Sequence, residues 1–413
     1  MRGQQWLLAA AAVGALFGMT AAWQRVGHSS AALAAPIVLP DVAEAQTSLE
    51  PADTFRLVWS EPMANLRSDS LSEDGQSVVT VSTDGQVRLW DWAHRPNRPL
   101  WSKTVPGVTC SVVGVGHHTV LVYAALDPTR PTLTLLGDKG RLIGGSTLDG
   151  SIWAAALSTD GSHAGVTTGN SSLYLYTLGP HLVLHRQSLA GIGDSVSLSP
   201  DAARFAVGTW DTSGIACYAA GGAMLWQYPL ATSTLHLLSN RLFETQMAQN
   251  GQTVLGLSCA NVHGEDGTLY YWRGDTGKPA WRYSLPEDAF SPHAQISANG
   301  MCVAVTYTQL VTHGDQSVSE QHLVVLDSEG NTEWEKGGML FSPTLVSIAA
   351  DGHRVTVTDG NNTLYHLDNT GRITTPYVFR APISKAIKTV GTADGRWLLV
   401  PTQDGLLNLV RMD

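Results

Sequence analysis

From about residue 64 the chain alternates apolar and polar positions over short runs set apart by turns rich in Gly, Asp and Asn. Period-two runs of this length predict strands. One unit recurs. It opens with a short apolar strand that ends in a tight turn, as in LSEDG (71–75), LSTDG (157–161), LSPDA (198–202), ISANG (296–300), IAADG (348–352) and TADG (392–395). AQNG (248–251) is a weaker copy, and GVGHH (114–118) departs most from the pattern. Asp-Gly and Asn-Gly supply the positive φ that two-residue hairpin turns demand.

A second strand follows each turn, such as QSVVTVS (76–82), RFAVGTW (204–210) or RWLLVPT (396–402). A third comes after another turn, as in GQVRLWDW (85–92) and SSLYLYTLG (171–179). The fourth often ends in Trp: PLW (99–101), MLW (224–226), PAW (279–281), TEW (332–334). First-turn residues Asp74, Gly116, Asp160, Asp201, Asn250, Asn299, Asp351 and Asp394 are spaced by 42, 44, 41, 49, 49, 52 and 43. Four strands at this period predict an all-β fold, an eight-bladed β-propeller of four-stranded antiparallel blades. Seven blades is the alternative if 107–148 is not a true blade. The last unit stops after its third strand (405–413), while an orphan strand, TFRLVWS (54–60), precedes the first. Pairing the two would close the ring and remove two exposed sheet edges.

Composition fits this picture. High Gly (41 residues) and a 15% charged share suit a turn-dense β protein. A net charge of −10 with no basic cluster argues against a nucleic-acid surface. Cys110, Cys217, Cys259 and Cys302 form no CxxC pair, so they read as small apolar residues. A Cys259–Cys302 disulfide stays open, since their repeats are neighbours.

Ahead of the repeats, Arg2 precedes an apolar run of 18 residues, Trp6–Trp23. It reads as a signal peptide or an uncleaved signal anchor over 1–23. Residues 24–53, rich in Ala, Ser and Pro, read as a flexible linker, and 54–413 as the propeller. The expected location is extracytoplasmic, periplasmic or secreted, with membrane attachment through residues 6–23 if the segment is retained.

GTLYYWRGDTGKPAW (267–281) resembles the repeat of the pyrroloquinoline-quinone (PQQ)-like propellers, with HLVVLDSEGNTEW (322–334) and NTLYHLDNTGR (362–372) as looser copies. STDGQVRLWDW (82–92) looks like a tryptophan–aspartate (WD) repeat, although no Gly-His pair precedes the strand ending in Leu71. The resemblance covers most of 54–413 and places the chain nearest the non-enzymatic PQQ-like propellers. It implies that Trp59, Trp101, Trp226, Trp281 and Trp334 dock one blade on the next, each ring burying about 150–250 Å². It also implies an alternative, a PQQ-dependent dehydrogenase with a calcium-assisted axial site. That branch's vicinal Cys pair is missing, and no cofactor is expected under the main reading.

In a four-stranded meander the second-to-third turns and the inter-blade connections share one face. The long excursions 125–131, 228–241, 259–267 and 307–321 all fall there, and loops on a rigid scaffold are where binding residues concentrate. His263, Glu265 and Asp266 lie in one such loop, and His313 and Asp315 in that of the next blade. Two His and three carboxylates would suit a divalent metal or polar ligand; solvated loop tips account for them as well. Trp210 and Asp211 offer an aromatic contact for a partner. No Asp-x-Asp-x-Asp calcium loop or catalytic constellation is present. The expected function is a monomeric, non-catalytic platform for a protein partner or ligand in the cell envelope.

Overall fold

The structure is a computed structural model. It describes residues 55–412 except 115–118, 130, 179–181, 211–213, 231–240, 260–266, 314–315, 340–343 and 360. Residues 1–53, with the apolar run and linker, lie outside this set. Among the described residues no helix is long and apolar enough to cross a membrane.

The described strands form eight antiparallel four-stranded units in sequence order. Blade 1 runs from Leu66–Leu71 to Trp101–Thr104, and blades 2 to 7 open at Cys110, Ile152, Ile192, Arg241, Ala289 and Thr344. Blades 4 and 5 share one sheet through a single pair, Trp210 opposite Arg241. First strands neighbour one another in a ring, with Val390–Gly391 of blade 8 returning to Leu66–Leu71 of blade 1. Eight blades is therefore the count, and 107–148 is a true blade.

Both faces of each blade are buried, because each packs on two neighbours. In blade 6, Val303, Val305, Val324 and Leu326 join a cluster with blade 5, while Ala304, Leu323 and Val325 join one with blade 7. Period two thus persists in geometry but vanishes from hydropathy. Ser77–Ser82 is buried at all six positions.

Closure of the ring depends on the segment that comes first in the chain. Phe55–Pro62 pairs with Leu406–Met412, which is followed inward by Trp397–Pro401 and Val390–Gly391. Trp59 packs in the cluster between blades 8 and 1. Phe55 stacks on His366 of blade 7 at 4.0 Å.

The Ser-x-Asp-Gly turn has a second device beyond its glycine. In blade 3 the Ser158 hydroxyl donates to Asp160 Oδ1 (2.7 Å) and accepts the His163 N–H (2.9 Å). Asp160 in turn accepts the Ser162 N–H at 2.9 Å. Ser72, Ser199, Ser297 and Thr392 repeat the pattern with Asp74, Asp201, Asn299 and Asp394.

Each fourth-strand Trp meets the third-to-fourth turn of the following blade. A Cβ added at Gly140, Gly277, Gly330 or Gly371 would lie 3.1, 2.9, 2.8 or 2.7 Å from Trp101, Trp226, Trp281 or Trp334 respectively. Their φ values are +69°, +64°, +83° and +73°. The glycine therefore makes the turn and also leaves a flat seat for the ring. Trp59 instead donates its Nε1–H to the Pro96 carbonyl of blade 1 at 2.9 Å.

The structure departs from the sequence reading at 307–321. This stretch is not a loop but a hairpin continued well past the blade, Val303–His313 against Gln316–Leu326. Its alternating Thr, Val and Ser positions favour pairing over coil. All four cysteines are free thiols, so Cys259 and Cys302 are not bridged.

Deleting residues 55–62 exposes the edge of Leu406–Met412 and removes Phe55 and Trp59 from their seats. The truncated chain is expected to lose its sharp thermal transition in circular dichroism; melting at the wild-type temperature would contradict closure by this strand. Trp226→Ala, which empties the seat over Gly277, is expected to cost about 3–5 kcal/mol in urea unfolding.

Candidate functional site

Strand order puts the second-to-third turns and the inter-blade connections on one face, here the upper face. First-to-second and third-to-fourth turns, with the Trp seats, lie on the lower face. Near the upper end of the innermost strands a register shift recurs, between Ile152 and Ala154, Gly193 and Ser195, and Leu242 and Glu244. Blades 1, 6 and 7 carry it too. A bulge of this kind re-aims the extra side chain. In blades 3, 4 and 5 the extra residues are Trp153, Asp194 and Phe243.

These three residues meet two more from the same face. Trp153 packs edge-on against Trp210, the last residue of its strand, with ring centroids 5.6 Å apart. The Arg241 guanidinium lies over the Trp210 ring at 5.0 Å and near Phe243 at 5.5 Å, distances at which cation–π attraction acts. Its Nε is 3.5 Å from Asp194 Oδ2. Burial raises the Asp194 carboxyl above its ordinary range, partly offset by Arg241. Gly169 makes room for Trp153, since a Cβ there would lie 2.8 Å from the indole nitrogen.

Of the residues singled out in the sequence, Trp210 therefore belongs to a cluster spanning blades 3 to 5. His313 is the last position of its strand, opposite Gln316. Asp211, His263, Glu265, Asp266 and Asp315 lie outside the described residues. Trp153, Asp194, Arg241 and Phe243 were not anticipated. Their signal is weak, because a bulge breaks the alternation that would mark an outward position.

Above the blade, the blade-6 hairpin forms a two-stranded ribbon. Pairing to the first strand ends at Ala289–Gln309 and to the fourth at Gln321–Met339, so residues 310–313 and 316–319 pair with each other but have no strand on their outer edges among the described residues. Leu310 (51% exposed) and Val318 (44%) stand out from it.

The lower mouth of the axial channel is bridged by Glu73. Its Oε2 accepts the Ala393 N–H of blade 8 (2.9 Å) and Gln249 Nε2–H of blade 5 (3.2 Å). Burial raises this carboxyl as well. Behind it lies a cavity of about 210 Å³ with Ser197, Gln246, Gln295 and Thr392 in its wall. Asp69, on the first strand of blade 1, is buried with no partner for Oδ2, and burial pushes its carboxyl up to about 8.

A quinone–calcium centre finds no donor set among the described residues. Among the described residues no three His, Cys, Asp or Glu converge on one point. Glu73 is committed to the lower face, and Asp194 to Arg241.

The fold is a β-propeller, similar to those of PQQ-like and WD40-like proteins. Solved structures show the same fold: the propeller of Dos1 (TM-score 0.62, 13% identity, 86% of this chain and 95% of that one) and the C-terminal WD40 domain of Sif2 (0.59, 12%, 87% and 98%). Hydrazine synthase of Kuenenia stuttgartiensis also matches (0.52, 10%, 84% and 96%). Residues 211–343, less than half of the chain, match a family model described as outer membrane protein assembly factor BamB. No curated protein sequence gives a significant match.

Asp69 makes a pH-dependent contribution of defined sign. Its folded-state pKa lies above the ordinary 3.8. Between pH about 4 and about 8 the unfolded chain has released this proton and the folded chain holds it, so rising pH costs stability in that window and nothing further above it. Asp69→Asn removes the ionisation. The stability of the variant relative to wild type, measured by urea unfolding, is expected to rise from pH 4 to pH 8 and then level off.

Proposed function

We propose that this chain is an exported, non-catalytic propeller that holds a protein partner in the cell envelope on its upper face. The observation that carries this reading is the blade-6 ribbon. Blade 4 is built from strands of five to seven residues, yet Val303–His313 and Gln316–Leu326 have 11 each. The surplus closes no blade interface, presents Leu310 and Val318 to solvent, and leaves two edges on which an extended segment can add as a strand.

Three further features support the reading. Trp153, Trp210 and Arg241 on the same face are residue types enriched at interface hot spots. The family model that overlaps blades 4 to 6 bears the name of an outer-membrane assembly factor. The run Trp6–Trp23 supplies export, with residues 24–53 as the tether of a monomeric propeller; retention of the run would attach it to a membrane.

The test uses the full chain as bait in a detergent-solubilised envelope fraction. Wild type is expected to recover one stoichiometric partner. A Leu310→Asp/Val318→Asp double variant should recover it on the order of tenfold less at an unchanged melting temperature. Undiminished recovery would place the interface elsewhere. Dye-linked dehydrogenase activity on addition of PQQ and calcium would overturn the non-catalytic reading.

A further inference from the structure

The connection from blade 7 to blade 8 is structured and basic in an otherwise acidic chain. Between Asp368 and Asp394 there is no Asp or Glu, and the connection that follows Ile373–Val378 carries Arg380, Lys385 and Lys388; Arg372, ahead of that strand on the lower turn, pairs with Asp368 instead. The net charge of the whole chain is −10. An uninterrupted positive segment in such a chain has a local potential opposite in sign to that of its surroundings.

The connection is pinned from both sides. Phe379 donates its N–H to Asn362 O (2.8 Å) in the upper turn of blade 7. Toward blade 8, Ser384 donates to Pro401 O and Gln403 to Pro382 O, each at 2.8 Å, and Ile383 forms an isolated bridge with Thr402. Ser384 Oγ then accepts the N–H groups of Ala386 and Ile387, both at 3.2 Å, which winds the chain into a tight turn. Lys385 and Lys388 are carried on that turn. Both are exposed, and neither has a carboxylate partner among the described residues.

Under this turn the upper face holds a cleft of about 660 Å³. Its wall combines the two lysines with Thr344, Thr358, Ser384 and Thr389. Asp359, the acid in the wall, is turned to its own chain, accepting the N–H groups of Asn361 (2.8 Å) and Thr363 (3.0 Å). Cation and hydroxyl donors thus outnumber acceptors on a scaffold fixed before any ligand arrives. The volume lies within the range of about 300–1,000 Å³ of small-molecule sites.

We propose that this cleft binds a small polyanion, a molecule bearing phosphate or carboxylate groups held between Lys385 and Lys388 with the hydroxyls as secondary donors. The site is separate from the blade-6 ribbon and does not rest on the partner-binding reading.

Isothermal titration of the purified full chain with inorganic pyrophosphate, and separately with citrate, tests it. At low ionic strength one equivalent of at least one anion is expected to bind. Lys385→Gln and Lys388→Gln should each weaken binding about tenfold, as loss of a charge-assisted bond does. Lys385→Arg should restore it, and added salt should weaken it. Pyrophosphate alone identifies a phosphorylated ligand and citrate alone a carboxylate. Lys139→Gln, on the lower turn of blade 2, should change nothing. Absence of binding by both anions, equal loss in the Lys139 variant, or binding only of an acidic polypeptide overturns the proposal.

Discussion

Side chains on both faces of every blade are buried against the neighbouring blades, and no blade can satisfy that alone. Val303 and Val305 need blade 5 while Ala304 needs blade 7. The same division holds at all eight interfaces, so the core is a ring of eight clusters. A ring with one missing strand leaves a sheet edge and two opened clusters. Phe55–Pro62 supplies that strand from the opposite end of the chain. Stability of each blade is therefore tied to a contact that closes some 350 residues of loop, whose entropy grows only slowly with length.

Packing also explains the small residues of the repeat. A third-to-fourth-turn glycine in blade 2, 5, 6 or 7 receives the Trp of the blade before it. The Ser and Asp of the first-to-second turn hold that turn by hydrogen bonds that satisfy its backbone N–H groups. This leaves the lower face regular and committed to structure, down to Glu73 across the channel mouth. Variation has gone to the upper face. There a bulge re-aims Trp153, Asp194 and Phe243, blade 6 extends its hairpin, and the last connection folds into a basic turn.

Much of the fold was legible in the sequence, and the reason is repetition. Asp-Gly and Asn-Gly turns recur at nearly constant spacing, so one weak motif gains strength from seven neighbours. The recurring Trp could be read in the same way, although the structure places it in the first three residues of the fourth strand rather than at its end. The upper-face site was legible only as a region. Trp210 was visible because it ends a strand before a turn. Arg241 and Trp153 were not, since what brings them to Trp210 is the adjacency of three blades and a bulge that leaves no mark in hydropathy. The ribbon of blade 6 carries the strand signal in its alternating Thr, Val and Ser positions, but its excess over the strand length of the other repeats gives it the look of a loop.

By itself, the sequence determined the all-β class, the blade period and the strand that the last blade lacks, while the ring of paired sheets decided eight blades over seven. The class and the period follow from local turn chemistry and alternation, which depend on residues close in the chain, and the missing strand follows from counting them. Tertiary structure alone decided which side chains meet at the upper face, that Glu73 spans the channel, and that Lys385 and Lys388 stand over a cleft. These depend on distances between segments from about 30 to 320 residues apart in sequence, the longest being Glu73 to Ala393. Such distances are set by the ring as a whole and are written in no single repeat.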